Sequence, residues 1–111
     1  MQYGNIDGID KPISRLVHGT IMLTSEEEEW SFKLLDAVYE NGITAFDTGH
    51  IYGGGDPERI MGRWMKERGN RDRVVLLGKG AHHNADRRRV TRFDVTADLH
   101  DSLARFQVDY I

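Results

Sequence analysis

Apolar residues recur along this chain in two rhythms. Short, nearly continuous runs lie at Ile13 to Leu23 (ISRLVHGTIML), Ile43 to Phe46, Val74 to Leu77 and Val108 to Ile111. Their β-branched and aromatic content predicts strands, and their lack of alternation suits a sheet covered on both faces. Between the runs, apolar positions return at helical spacing: Trp30, Leu34, Leu35 and Val38, then Ile60, Met61, Trp64 and Met65, then Val95, Leu99, Leu103 and Phe106.

The ends of these helices carry their own signals. Ser25 with Glu28 has the form of a capping box, and Glu26 to Glu29 put negative charge where a helix dipole favours it. Asn41-Gly42 and Gly69-Asn70 are C-terminal stops. Asp56-Pro57 predicts an N-cap followed by a proline in the first turn, and Thr91-x-x-Asp94 predicts the cap of the third helix.

The order is therefore β-α-β-α-β-α-β, which argues for parallel strands with helical crossovers. An open nucleotide-binding sheet is disfavoured. Only Gly19 follows the first strand, Glu58 stands where the last glycine of a G-x-G-x-x-G would fall, and Gly78-Lys79-Gly80 has no Walker spacing. A (β/α)8 barrel is preferred, because polar residues cluster at the C-terminal ends of the strands. Such a barrel needs about 250 residues. The 111-residue chain is expected to be a single N-terminal portion of one, residues 1–111, truncated in its fourth strand.

Composition narrows the classes further. With 39% hydrophobic residues and a net charge of −3, the chain can bury a core and shows no overall bias toward nucleic acid or membrane. There is no cysteine, which removes disulfides and thiolate metal sites and fits a reducing compartment. Met1 to Pro12 lacks a secretory h-region, and no apolar stretch approaches the roughly 20 residues of a membrane span. A cytoplasmic protein is expected.

The candidate chemistry lies in Asp47, Tyr52 and Lys79. Reducing a carbonyl requires a hydride and a proton for the oxygen. A phenol with a pKa near ~10 is a weak acid at neutral pH, a neighbouring ammonium strengthens it, and a carboxylate keeps that ammonium charged. Asp47 and Lys79 fall at the rims of adjacent predicted strands, with Tyr52 on the loop between them and the next helix.

FDTGHIYGGGDPERIMGRWM, residues 46 to 65, resembles the signature of the aldo-keto reductases, in which Phe-Asp-Thr-Ala-x-x-Tyr-Gly leads into a helix containing Glu and Gly. Val74 to Lys79 is similar to that family's third strand with its catalytic Lys, and Ser102 to Ile111 resembles its third helix running into strand four. The resemblance implies a (β/α)8 barrel that reduces an aldehyde or ketone with NADPH, sometimes NADH, and without a Rossmann domain. It implies Tyr52 as general acid supported by Lys79 and Asp47, Gly19, Thr20 and Asp47 beside the cofactor, and Ile21 and Tyr52 facing a small-molecule carbonyl substrate. The family's fourth active-site residue, a His at the end of strand four, has no counterpart among the five histidines here. Gly49 replaces the usual Ala, a small-for-small change expected to matter little, and His18 stands at a position usually small or aliphatic.

Other features read as structural. His82-His83 invites a metal, but adjacent side chains on an extended segment point apart, so no metal site is expected. Arg87-Arg88-Arg89 with Arg92 is expected to be a solvated loop rather than a nucleic-acid contact. Gly53-Gly54-Gly55 reads as a hinge, and Gly62 as the point where its helix approaches the sheet. A sheet with open edges and bare apolar surface is also expected to self-associate, which makes a non-catalytic, self-associating fragment the alternative reading.

Overall fold

The computed structural model describes all residues 1–111. Three parallel strands form the central sheet in the order β3 (Val17–Gly19), β4 (Ala45–Asp47) and β5 (Val75–Leu77). Preceding them, β1 (Tyr3–Gly4) and β2 (Ile13–Ser14) make a small antiparallel pair. The helices are α1 (Glu28–Glu40), α2 (Asp56–Arg68) and α3 (Arg92–Phe106), with 3-10 turns at Ser25–Glu27 and Tyr52–Gly55.

Strand register decides which side chains face the helices. His18, Phe46 and Leu76 are aligned across the sheet, as are Gly19, Asp47 and Leu77. Because side chains alternate, the first row points to the helical layer and the second to the opposite face. Phe46 and Leu76 accordingly join Leu35, Ile60, Met61, Trp64, Met65 and Phe106 in the core. Trp64 packs edge-on against Phe46 and Tyr39, both 5.7 Å away, and its indole N–H donates to Asp36 at 2.8 Å. The other face is open: Val17 is 50% exposed and Leu77 53%.

Several sequence expectations are corrected here. The run from Ile13 to Leu23 is two strands, because Ser14 turns its hydroxyl inward to accept from the Thr44 and Ala45 N–H groups and to donate to the Leu16 carbonyl, bending the chain between them. Thr24, not Ser25, caps the first helical turn, its hydroxyl accepting from the Glu26 N–H at 3.3 Å. Ser25 gives its N–H and hydroxyl to Asp56, and Glu28 pairs with Arg63. Asp56 is therefore already inside α2, whose N-cap is Gly55 in a left-handed conformation. Thr91 caps α3 as expected, accepting from the Asp94 N–H at 3.1 Å.

The face that α3 buries is the main departure. Asp94, Asp98, Ser102 and Phe106 are turned inward, while Val95 and Leu99 are exposed. Gly62 serves this packing and not the sheet: a Cβ there would lie 2.5 Å from the Phe106 carbonyl oxygen, so the bare glycine lets α2 and α3 touch backbone to backbone. Val108 to Ile111 makes no strand. Arg71 binds the Tyr110 carbonyl at 2.7 Å and stacks its guanidinium 3.9 Å from the Tyr110 ring centroid, leaving this segment without ladder bonds to β5.

Candidate active site

The C-terminal ends of the three parallel strands bring the predicted acid and its partners together. Asp47 closes β4, and Lys79 lies two residues beyond β5. The Lys79 ammonium forms an ion pair with the Asp47 carboxylate and sits 4.9 Å from the centroid of the Tyr52 ring. That is within cation–π range. Burial of the ammonium opposes its charge, but the Asp47 carboxylate and the Tyr52 hydroxyl outweigh that effect, and Lys79 titrates above the ordinary lysine value. The amine is thus a cation at neutral pH.

Backbone bonds hold these groups in register. The Thr48 N–H donates to the Leu77 carbonyl at 3.0 Å and the His50 N–H to the Lys79 carbonyl at 2.8 Å, extending the β4–β5 pairing past the strands. Thr20 is fully buried, and both its N–H and its hydroxyl donate to the Asp47 carbonyl at 3.0 Å. Its side chain supports Asp47 from below. Gly19 differs: a Cβ there would meet nothing within 4 Å, so the strand end beside Asp47 is open to an incoming group. Ile21, one residue past Thr20, is exposed.

Tyr52 opens a turn whose three glycines all have positive φ: 50° at Gly53, 62° at Gly54 and 92° at Gly55. Only glycine adopts such values at little cost, so the run is a shaped corner and not a plain hinge. The corner also makes room, since a Cβ on Gly55 would lie 2.5 Å from the Arg105 guanidinium. Gly49 is a contact residue: a Cβ there would lie 3.2 Å from the Tyr52 ring. The Gly-for-Ala difference is therefore felt by Tyr52.

Two networks invisible in the sequence surround this site. Glu58 is fully buried, accepting from Ser102 at 2.7 Å and Arg105 at 2.9 Å, and Arg105 also donates to the His50 carbonyl at 2.7 Å. Two arginines of the run do more than meet solvent, while Arg88 and Arg92 are exposed and in no ion pair. Arg87 makes two hydrogen bonds to Asp94 (2.7 and 2.9 Å) and Arg89 two to Asp98 (3.1 and 2.7 Å). Arg87 and Thr91 hold the Asp94 carboxyl far below the usual range, and Arg89 with the Ala81 N–H lowers that of Asp98. No periodicity flags such pairs; the cue in the sequence is acidic residues four apart, Asp94 and Asp98, on a helix that starts just after the arginine run.

Four of the five histidines fall into three settings. His18 faces the helical layer beside Phe46, its Nε2 is buried without a partner, and burial lowers its pKa. His82 and His83 stack at 4.4 Å, rather than pointing apart, because the segment is not a strand. His50, Asp98 and Asp101 bring their ligand-type atoms within 4.8 Å of one another. Both Asp98 oxygens already accept from Arg89 and one from the Ala81 N–H, so charge there is met by a guanidinium.

A family model described as the aldo/keto reductase family matches residues 15–111. The chain belongs to the aldo/keto reductase family. It is 34% identical to aldo-keto reductase YhdN of Bacillus subtilis, covering 100% of this chain and 36% of that protein. Norsolorinic acid reductase of Aspergillus flavus is 34% identical over 77% of this chain and 24% of its own length. Among solved structures, aldo-keto reductase AKR11C1 from Bacillus halodurans, in its holo form, matches with a TM-score of 0.83 and 28% identity, covering 100% of this chain and 38% of that one. The glycerol dehydrogenase AKR11B4 from Gluconobacter oxydans, at 24% identity and a TM-score of 0.79, shares the fold over 37% of its chain.

The chain thus spans between about a quarter and two fifths of the length of these proteins. Its fold is that of the N-terminal part of their (β/α)8 barrel, with three parallel strands and no closure. No helix is long and apolar enough to cross a membrane.

Proposed function

We propose that the intact protein reduces an aldehyde or ketone to an alcohol, with NADPH or NADH as hydride donor. The observation that carries this reading is the ion pair of Lys79 with Asp47 beneath the Tyr52 ring. The nicotinamide, when bound, supplies the hydride. Tyr52 gives its hydroxyl proton to the substrate oxygen as the alkoxide forms. The phenolate left behind is stabilised by the Lys79 ammonium, which Asp47 keeps charged and in place. Gly19 supports the cofactor assignment, because its open strand end leaves space beside Asp47, and Thr20 and Asp47 complete that edge. Exposed Ile21 faces the substrate side in this reading. A cytoplasmic setting, a small carbonyl substrate, and no metal or nucleic acid belong to the same proposal.

The test is turnover of the intact protein on a panel of carbonyl compounds, followed by nicotinamide absorbance. Tyr52→Phe is expected to lower kcat by about 10²- to 10⁴-fold, the usual contribution of a general acid. Activity that survives in a folded Tyr52→Phe protein sinks the assignment of Tyr52.

A second reading concerns the 111-residue chain by itself: a non-catalytic species that self-associates. The apolar side chains of Leu16, Val17 and Leu77 on and beside the open sheet favour it. Sedimentation of the isolated chain as a monomer with tight NADPH binding overturns it.

A further inference from the structure

We propose that His50 is a positioning residue, clamping the loop that carries Tyr52 onto α3; the proposal rests on the reading of Tyr52 as the acid. Three independent tethers converge on this residue. Its N–H donates to the Lys79 carbonyl at 2.8 Å, its carbonyl accepts from Arg105 at 2.7 Å, and its ring Nε2 lies 3.0 Å from Asp101 Oδ2 and 3.6 Å from Asp98 Oδ1. The first tether reaches the backbone of the lysine, and the other two reach α3.

The ring contact differs from the backbone tethers because it responds to protonation. Asp98 is occupied by Arg89 and the Ala81 N–H, whereas Asp101 is an exposed side chain with His50 as its hydrogen-bond partner. As imidazolium, His50 is attracted to both carboxylates. As a neutral ring carrying its proton on Nε2, it keeps one hydrogen bond to Asp101 and loses the charge attraction. The charged and titratable groups facing it are Asp98, Asp101 and Arg105 from α3, and His82, His83 and Arg89 across the same cleft. On its own loop, Tyr52 follows two residues later, and its N–H donates to the Gly49 carbonyl at 3.0 Å. A loosened His50 is therefore passed directly to the Tyr52 turn.

The experiment uses the full chain with 13C-labelled tyrosine, the Tyr52 signal being assigned from its loss in Tyr52→Phe. Between about pH 5 and 8, where histidine titrates, the Tyr52 signal is expected to shift in a step that tracks the His50 ring. That step is expected to vanish in His50→Gln. In Asp101→Asn the step is expected to shrink, because the ring has lost the exposed carboxylate that ties it to α3. A flat Tyr52 signal in the wild-type chain, or a step that persists in His50→Gln, overturns the proposal. Should His50→Gln not fold, Asp101→Asn decides alone: it alters an exposed side chain, and a step of unchanged size overturns the clamp. Turnover surviving Tyr52→Phe would remove the acid role while leaving this coupling readable, so the two failures are distinct.

Discussion

Arg105 meets Glu58 where the carboxylate has no access to solvent, and the same guanidinium nitrogen reaches the His50 carbonyl at 2.7 Å. One arginine of α3 therefore neutralises a charge inside α2 and anchors the turn that presents Tyr52.

Removing that arginine leaves Glu58 buried with only the Ser102 hydroxyl. Breaking a buried pair on one side typically costs about 3–5 kcal/mol. Arg105→Met is expected to lose stability of that order, read from the urea midpoint. The double variant Glu58→Gln/Arg105→Met should recover part of it, and a single variant as stable as wild type would show that Glu58 does not need its partner.

Asp94 and Asp98 of α3 should contribute to the acid side of the stability curve, alongside Asp36 and Asp56, whose carboxyls are also lowered. Asp94 and Asp98 are held below the usual carboxylate range, by Arg87 and Arg89 respectively, so the folded chain binds fewer protons than the unfolded one as pH falls. Their contribution is complete above the unfolded value near ~3.9 and drains away below it. Thermal unfolding followed from about pH 6 down to 2 should show a steep loss below ~4. Asp94→Asn should flatten that loss while lowering stability at neutral pH, and an unchanged slope counts against the assignment.

Gly49→Ala tests the contact with Tyr52. A methyl carbon 3.2 Å from the ring must displace it by a few tenths of an ångström. The ring is half-buried and can yield, so the expected stability loss is small, at the low end of the ~1–3 kcal/mol of overpacking. A high-resolution structure of the variant should show the ring moved relative to Lys79; an unmoved ring rejects the contact as a determinant.

Much of the site was legible because it obeys short-range rules. Asp47 and Lys79 end apolar runs that pair in register, and two strand ends in neighbouring positions bring such residues together. The α2 stripe of Ile60, Met61, Trp64 and Met65 is buried throughout, since apolar periodicity reports a core-facing helix. The same rule misread α3. Val95 and Leu99 have the right spacing, but the adjacent face carries Asp94, Asp98 and Ser102, whose burial depends on partners supplied from elsewhere. The His50–Asp101 contact spans 51 residues and no local pattern encodes it. Strands β1 and β2 are two residues each, too short to leave a period in the sequence.

The arginines that cover α3 come from the loop immediately before it, seven and nine residues from their carboxylates. Contacts this close in sequence close small loops and need little of the rest of the chain in place. Loop and helix can thus assemble as a unit with its charges already matched, before meeting α2. Asp94 and Asp98 then already carry their partners when the helix meets α2, and Glu58 is the carboxylate that finds its arginine only across that contact.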